Sequence, residues 1–322
     1  MCFRHPSRLT AARRVTARLP AAFRSRLLAG CAETAICTLP TVHWARPQRR
    51  VIGDHLVVWV GADSRGPASL NIASDSRIGW TTGRSVLYHW DHGKKIFASS
   101  AAPLIVGYVG DVLFPSLVLP GAIDRIDRQV FRADGATVEG LISVLRREWR
   151  DYPAEMRHPV TIYIGHRVGE RMLAEFRLTA LSNPDGGIDS WQARDIPVLP
   201  TSPWPVIDGS GRTAITKALK AWQESTAAGT SRSVFSGFVD AVVSGVDPLS
   251  GGSPQLASLY RIGTGRLLGI IHRNQRYFAG MHLIGDEAVE NVEWRNALFE
   301  RTDGYTKALL RGAQPQPRPS AV

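Results

Sequence analysis

The sequence predicts an α+β domain in which two antiparallel sheets lie between helical layers, a four-layer αββα sandwich. Three observations carry this reading. Strand-like runs come first, two helical patterns follow, and the succession repeats before closing on strands, an order that fits sheets covered by helices. Val57 to Val60 is apolar without alternation, and Leu70 to Ala73 is apolar apart from Asn71, as suits strands covered on both faces. The stretches 138–149 and 215–222 each place their apolar residues on one helical face.

In chain order, the first strand run ends at the turn Asp63-Ser64-Arg65-Gly66-Pro67, and the second leads into Ser74-Asp75-Ser76-Arg77. A charged loop is expected next, then strands through Gly93-Lys94-Lys95-Ile96-Phe97 and from Leu104, ending in a glycine turn at Gly107 to Asp111. A charge at the end of a buried strand needs a partner, because an unpaired buried charge costs several kcal/mol. Asp75 and Lys95 are therefore expected to be neighbours. Residues Gly110 to Phe131 read as a helix disturbed by Pro115 and Pro120. Val138, Leu141, Ile142, Leu145 and Trp149 mark an amphipathic helix that stops before Pro153. Val160 to Ile164 and Ala174 to Leu181 read as strands, Asn183 to Gly187 as a turn, and Trp191 to Pro205 resists assignment.

Asp208-Gly209-Ser210-Gly211 precedes a helix with Ile215, Ala218, Leu219 and Trp222 on its apolar face, and Ser210 suits a helix-capping position. Phe235, Phe238, Val239 and Val242 mark another helix, followed by Asp247-Pro248-Leu249-Ser250-Gly251-Gly252. Leu256 to Ile262 and Leu267 to Ile271 form a hairpin around Gly263-Thr264-Gly265, which lacks the strand-to-helix context of a phosphate loop. Beyond Arg311 three prolines predict an unstructured tail. The division is thus a leader over 1–50, a domain over 51–300 and a C-terminal tail over 301–322.

Charge is unevenly spread. The net charge is +11, but residues 1–50 hold ten Arg and one acid, a net +9, which leaves +2 for the rest. The basicity belongs to the leader, so nucleic acid is not an expected partner of the domain. All three cysteines, Cys2, Cys31 and Cys37, also lie in the leader, so the domain has no disulfide framework or thiolate metal site. No run approaches the roughly 18 apolar residues of a membrane span. The leader shares the composition of a mitochondrial-type presequence; a disordered or wrongly included upstream segment is the competing reading, and the domain itself is expected in the cytoplasm.

The segment from His55 to Asp111 resembles the start of a proteasome-type beta subunit, a threonine peptidase of the N-terminal-nucleophile hydrolase superfamily. The likeness rests on a strand hairpin leading to Asp75-x-Arg77, the Gly93 to Phe97 string, and Gly107-x-x-Gly110-Asp111. Gly209-Ser210-Gly211 and Asp247-x-x-Ser250-Gly251-Gly252 match the family's later motifs in type and order, so the resemblance covers roughly residues 55 to 285. It implies a four-layer sandwich and hydrolysis of amide bonds in peptides. In the family an N-terminal threonine attacks the carbonyl while its own α-amine takes the proton. The resemblance assigns Lys95 to holding the nucleophile reactive, Asp75 to orienting the lysine, Arg77 to the motif around that acid, and the Gly107 N–H to the oxyanion. Ser210, Asp247 and Ser250 would surround the amine and relay protons.

The nucleophile itself departs from the pattern. Counting back from Asp75, with allowance for the longer turn, places it at His55, and no Thr, Ser or Cys occurs from Val42 to Ala62. Three functions stay open: a peptide or amide hydrolase, a catalytically inactive ring or scaffold subunit of the same fold, and nucleic-acid or acidic-surface binding through the arginine leader. The first two imply a homo-oligomer. No cofactor is implied. His89-Trp90-Asp91-His92 offers two histidines without further ligands, so no metal site is expected.

Overall fold

The computed structural model describes residues 49–53, 55–82, 85–130, 136–197, 205–285 and 290–319, so the leader before Arg49 and the readings attached to it lie outside the described residues. The chain begins with β1 (Arg49–Gly53), β2 (Leu56–Asp63), β3 (Gly66–Ser74), β4 (Ile78–Thr82), β5 (Ser85–Trp90), β6 (Ile96–Ala98) and β7 (Leu104–Asp111). Helices α1 (Leu113–Asp127) and α2 (Ala136–Asp151) follow, then β8 (Val160–Val168), β9 (Glu175–Asn183), β10 (Gln192–Ile196) and β11 (Val206–Asp208). Helices α3 (Arg212–Gln223) and α4 (Ser231–Ser244) lead to β12 (Gln255–Tyr260), β13 (Arg266–His272), β14 (Gln275–Phe278), β15 (Met281–Leu283), β16 (Trp294–Asn296) and β17 (Arg301–Thr302). The fold is mixed α/β, with the predicted succession of strands and helix pairs.

Two sheets organise these strands. One runs β10-β9-β8-β7-β1-β4-β5, with β6 also on β7; the other runs β11-β2-β3-β12-β13-β14-β15, with β16 on β13 and β17 on β16. Pairing is antiparallel except between β13 and β16. The apolar run of β2 explains itself in this frame. Leu56 and Val58 pack with Ile105, Val109, Tyr163 and Phe176 from the other sheet. Val57 and Trp59 point the opposite way, into Phe235, Phe238 and Val239 of α4. Strand β7 repeats the pattern, sending Ile105 and Val109 to the first group and Val106 and Tyr108 to Phe114, Leu145 and Trp149 of α1 and α2. Each such side chain contributes about 1.5–3 kcal/mol on burial.

Several expectations are corrected. The charged loop after Arg77 is the β4–β5 hairpin, whose outer strand is mostly exposed and so carries no apolar period. The glycine turn is absent: β7 runs through Gly107 and Gly110 to Asp111. Gly110 adopts φ +88°, and a side chain there would meet the Pro159 carbonyl oxygen at 2.5 Å. The following helix starts only at Leu113, where the Asp111 carboxylate accepts from the Leu113 and Phe114 N–H groups at 3.3 and 3.1 Å. It accommodates Pro115 because first-turn N–H groups have no intrahelical acceptor. The tail is placed rather than unstructured through residue 319: Gln316 is buried and donates from Nε2 to Ser236 Oγ, and Arg318 pairs with Asp240. Strand β1 also straddles the expected leader boundary at residue 50.

Candidate active site

The site gathers where β2 begins and β3 ends. Leu56 lies opposite Ser74 in the β2–β3 ladder, which sets His55 across from Asp75. Ser74 Oγ donates to the His55 carbonyl at 2.6 Å and fixes that crossing. Asp75 accepts from Lys95 Nζ at 2.7 Å, and both side chains are fully withdrawn from solvent. A buried pair of this kind persists only when the remaining lone pairs are satisfied. The second Asp75 oxygen accepts from the Gly251 N–H at 2.9 Å and the Arg77 N–H at 3.1 Å.

Gln255 holds this pair in place. Its Nε2 donates to the Asp75 carbonyl at 2.9 Å and the Gly93 carbonyl at 2.8 Å, while its Oε1 accepts from the Lys95 N–H at 3.2 Å. One side chain thereby ties the end of β3, the start of β12 and the approach to β6. Sequence reasoning missed it. The available signal was a polar residue opening the apolar strand run at Leu256.

Arg77 supports the site from outside. It forms a bidentate pair with Asp91, at 2.7 and 2.9 Å, and donates to the Pro248 carbonyl at 3.3 Å. Hydrogen bonding from Arg77 holds the Asp91 carboxyl below its usual range, against the opposing effect of burial. The guanidinium lies against Gly251, where a Cβ would come within 2.4 Å of Cζ. Asp91 of the His89–His92 stretch is therefore the partner that orders Arg77. Ser76 completes this contact, donating to the Asp91 carbonyl at 2.6 Å and accepting from the Ser253 N–H at 2.8 Å.

Next to His55, Asp247 Oδ2 accepts from Ser210 Oγ and, at 3.4 Å, from Ser250 Oγ, while Oδ1 accepts from the Leu249 N–H at 3.0 Å. Ser210 consequently does not cap α3, whose N-cap is Gly211 without a side-chain bond. His55 Nε2 stands 3.9 Å from Asp247 Oδ2, beyond hydrogen-bond reach. The imidazole is completely buried, edge-on to Phe238 and lying over Gly211, where a Cβ would fall 1.0 Å from Nε2. Neither ring nitrogen has a hydrogen-bond partner among the described residues. Burial, reinforced by Lys95, holds the His55 pKa below its ordinary value despite the opposing charges of Asp75 and Asp247. The ring is therefore neutral at neutral pH.

Asp75, Arg77, Lys95, Ser210, Asp247, Ser250 and His55 thus form one neighbourhood. Gly107 stands apart from its polar contacts. It sits inside β7, opposite Ile96 of β6 on one side and Tyr163 of β8 on the other. A Cβ there would meet Leu56 and Ile72 at 2.8 and 2.9 Å, so glycine lets the two sheets approach at that point. Chemically, the assembled groups place a buried ammonium and two carboxylates around residue 55. What they lack at that residue is a hydroxyl or thiol.

No protein-family model matches this chain. No curated protein matches it either. Among solved structures, it is similar to the crystal structure of eukaryotic HslV from Trypanosoma brucei, with 16% sequence identity and a TM-score of 0.39, over 64% of this chain and 99% of that one. No helix among the described residues is long and apolar enough to cross a membrane.

Proposed function

We propose that this chain is a proteasome-like protein of the N-terminal-nucleophile hydrolase fold, layered αββα, whose site is built for hydrolysis of amide bonds in peptides. The observation that carries this reading is the buried Lys95–Asp75 pair at residue 55, with Asp247 and its partners Ser210 and Ser250 next to that residue. Support for the layering comes from three apolar clusters: helices α1 and α2 on one sheet, sheet against sheet, and helices α3 and α4 on the other sheet. In this reading Lys95, fixed by its hydrogen bond to Asp75, supplies the positive charge that would hold a nucleophile at residue 55 reactive. Asp247 and its two serines hold the polar edge where a proton moves. The protein acts as a homo-oligomer.

A second reading, a non-hydrolytic ring or scaffold subunit, is favoured by one observation: residue 55 is a histidine with a buried, unpartnered ring, and the chain continues upstream of it into β1. N-terminal sequencing and intact mass of protein from its own host, with a peptide-turnover assay on wild type and Lys95→Ala, separate the two. Turnover that Lys95→Ala abolishes supports the hydrolase. An intact β1 with no turnover supports the subunit, and turnover unchanged by Lys95→Ala would sink the hydrolase reading.

A further inference from the structure

A cavity of about 430 Å³ opens at the start of α4, away from the Asp247 end of that helix. Its walls include Arg232, Arg295 and Arg301, with Ser231, Phe299 and the chain at Ala313, and no carboxylate lines it among the described residues. Arg295 is mostly buried: its guanidinium lies 4.9 Å from the Phe299 ring centre, one terminal nitrogen contacts Glu293, and Nε is buried without a hydrogen-bond partner. Arg232 donates to the Gln314 carbonyl at 2.9 Å, which brings the C-terminal segment across the opening. Neither Arg232 nor Arg301 has a carboxylate within ion-pairing distance among the described residues.

The backbone adds to this field. Helix α4 has no acid in its first turn; Thr230 Oγ1 caps the Ser233 N–H, while the Ser231 and Arg232 N–H groups meet no acceptor among the described residues. The two guanidiniums without a described carboxylate partner, Arg232 and Arg301, together with the Glu293-paired Arg295, concentrate positive potential in this partly enclosed cavity. Their planar forks match the oxygens of a phosphate group better than a single point charge would. The volume falls in the range of small-molecule sites.

We propose that this cavity binds a phosphate group, free or carried on a small molecule. Arg232, Arg295 and Arg301 supply the charge, the first α4 N–H groups supply directed donors, and Phe299 forms the apolar wall. The site is independent of the chemistry proposed around residue 55.

The test is calorimetric titration of the full-length protein with inorganic phosphate and, separately, phenyl phosphate, alongside the rise in melting temperature each produces. Saturable one-site binding is expected, weakening with added salt and falling about tenfold for each arginine removed in Arg301→Ala and Arg232→Ala/Arg301→Ala. Arg301 is exposed, so the single variant keeps the test valid if the double variant folds poorly. Tighter binding of phenyl phosphate marks an aromatic ester as the ligand, and equal binding marks the free anion. Lys217→Ala/Lys220→Ala, on the basic face of α3, should bind as wild type does. Absence of saturable binding at millimolar probe, unchanged affinity in both arginine variants, or an equal loss in the α3 variant would overturn the proposal.

Discussion

Lys95 Nζ and Asp75 Oδ1 are 2.7 Å apart, and neither side chain has any exposure to solvent. Removing one partner of such a pair leaves the other charge stranded. Lys95→Met or Asp75→Asn should therefore cost about 3–5 kcal/mol of stability, and the double replacement Asp75→Leu/Lys95→Met should cost less than either single one. Urea unfolding of the three variants checks this. A double variant weaker than both singles would show that the pair stabilises the fold beyond satisfying its own charges.

Gln255 makes three hydrogen bonds with buried backbone groups. Gln255→Leu keeps the volume and removes all three, leaving groups whose desolvation costs about 1–3 kcal/mol each. Stability should fall by at least the lower of those values, with faster amide exchange at Lys95. Exchange at Lys95 as slow as in wild type would contradict the clamp.

Gly211 has no room for a side chain, because His55 Nε2 occupies the position of its Cβ. Gly211→Ala should displace the imidazole and destabilise the protein by about 1–3 kcal/mol. His55→Ala in the same chain should recover most of that loss, since residues in contact are not additive. Equal effects of Gly211→Ala with and without His55 would refute the contact.

His272 is buried beside Arg273, and burial carries its pKa down to about 4. A histidine with a lowered folded pKa gains its proton first in the unfolded chain. Its contribution is therefore present above about pH 6.5 and lost as pH falls through 4. Asp111, raised by burial to about 6, acts in the opposite sense: its contribution is present at low pH and lost as pH rises through 6. The melting temperature of His272→Gln should rise relative to wild type as pH falls from 7 to 4. A difference that stays constant over that range would exclude the assignment.

What the sequence disclosed follows from which forces leave a periodic trace. Trp149 and Leu145, Trp222 and Leu219, and Phe235 and Phe238 are all buried on helical faces because burial in an amphipathic helix writes a period into the chain. The Asp75–Lys95 contact was legible for a different reason, since charges next to buried strands must find each other. The β4–β5 hairpin was not legible, because Leu87, Tyr88 and Trp90 are exposed and edge strands need no buried face. Asp91 as the partner of Arg77, and Ser210 as a donor to Asp247 rather than a helix cap, depend on tertiary neighbours 14 and 37 residues away. Among the short strands, β11 and β14 to β17 span two to four residues each, too few to show a period.

Strand β1 belongs to one sheet, where it separates β7 from β4, and β2, the next strand along the chain, belongs to the other. The chain joining β1 to β2 is therefore a covalent bridge between the sheets. Cutting it would turn one polypeptide into a two-part molecule in which β1 pairs with the sheet across the cut, Val51 against Trp80 and Ile52 against Asp111. Departure of that piece would leave two facing strand edges with unpaired backbone groups, a strand-wide vacancy that any extended peptide could fill. Whether residue 55 is an interior link or a chain end is therefore the same question as whether this sheet is complete or open.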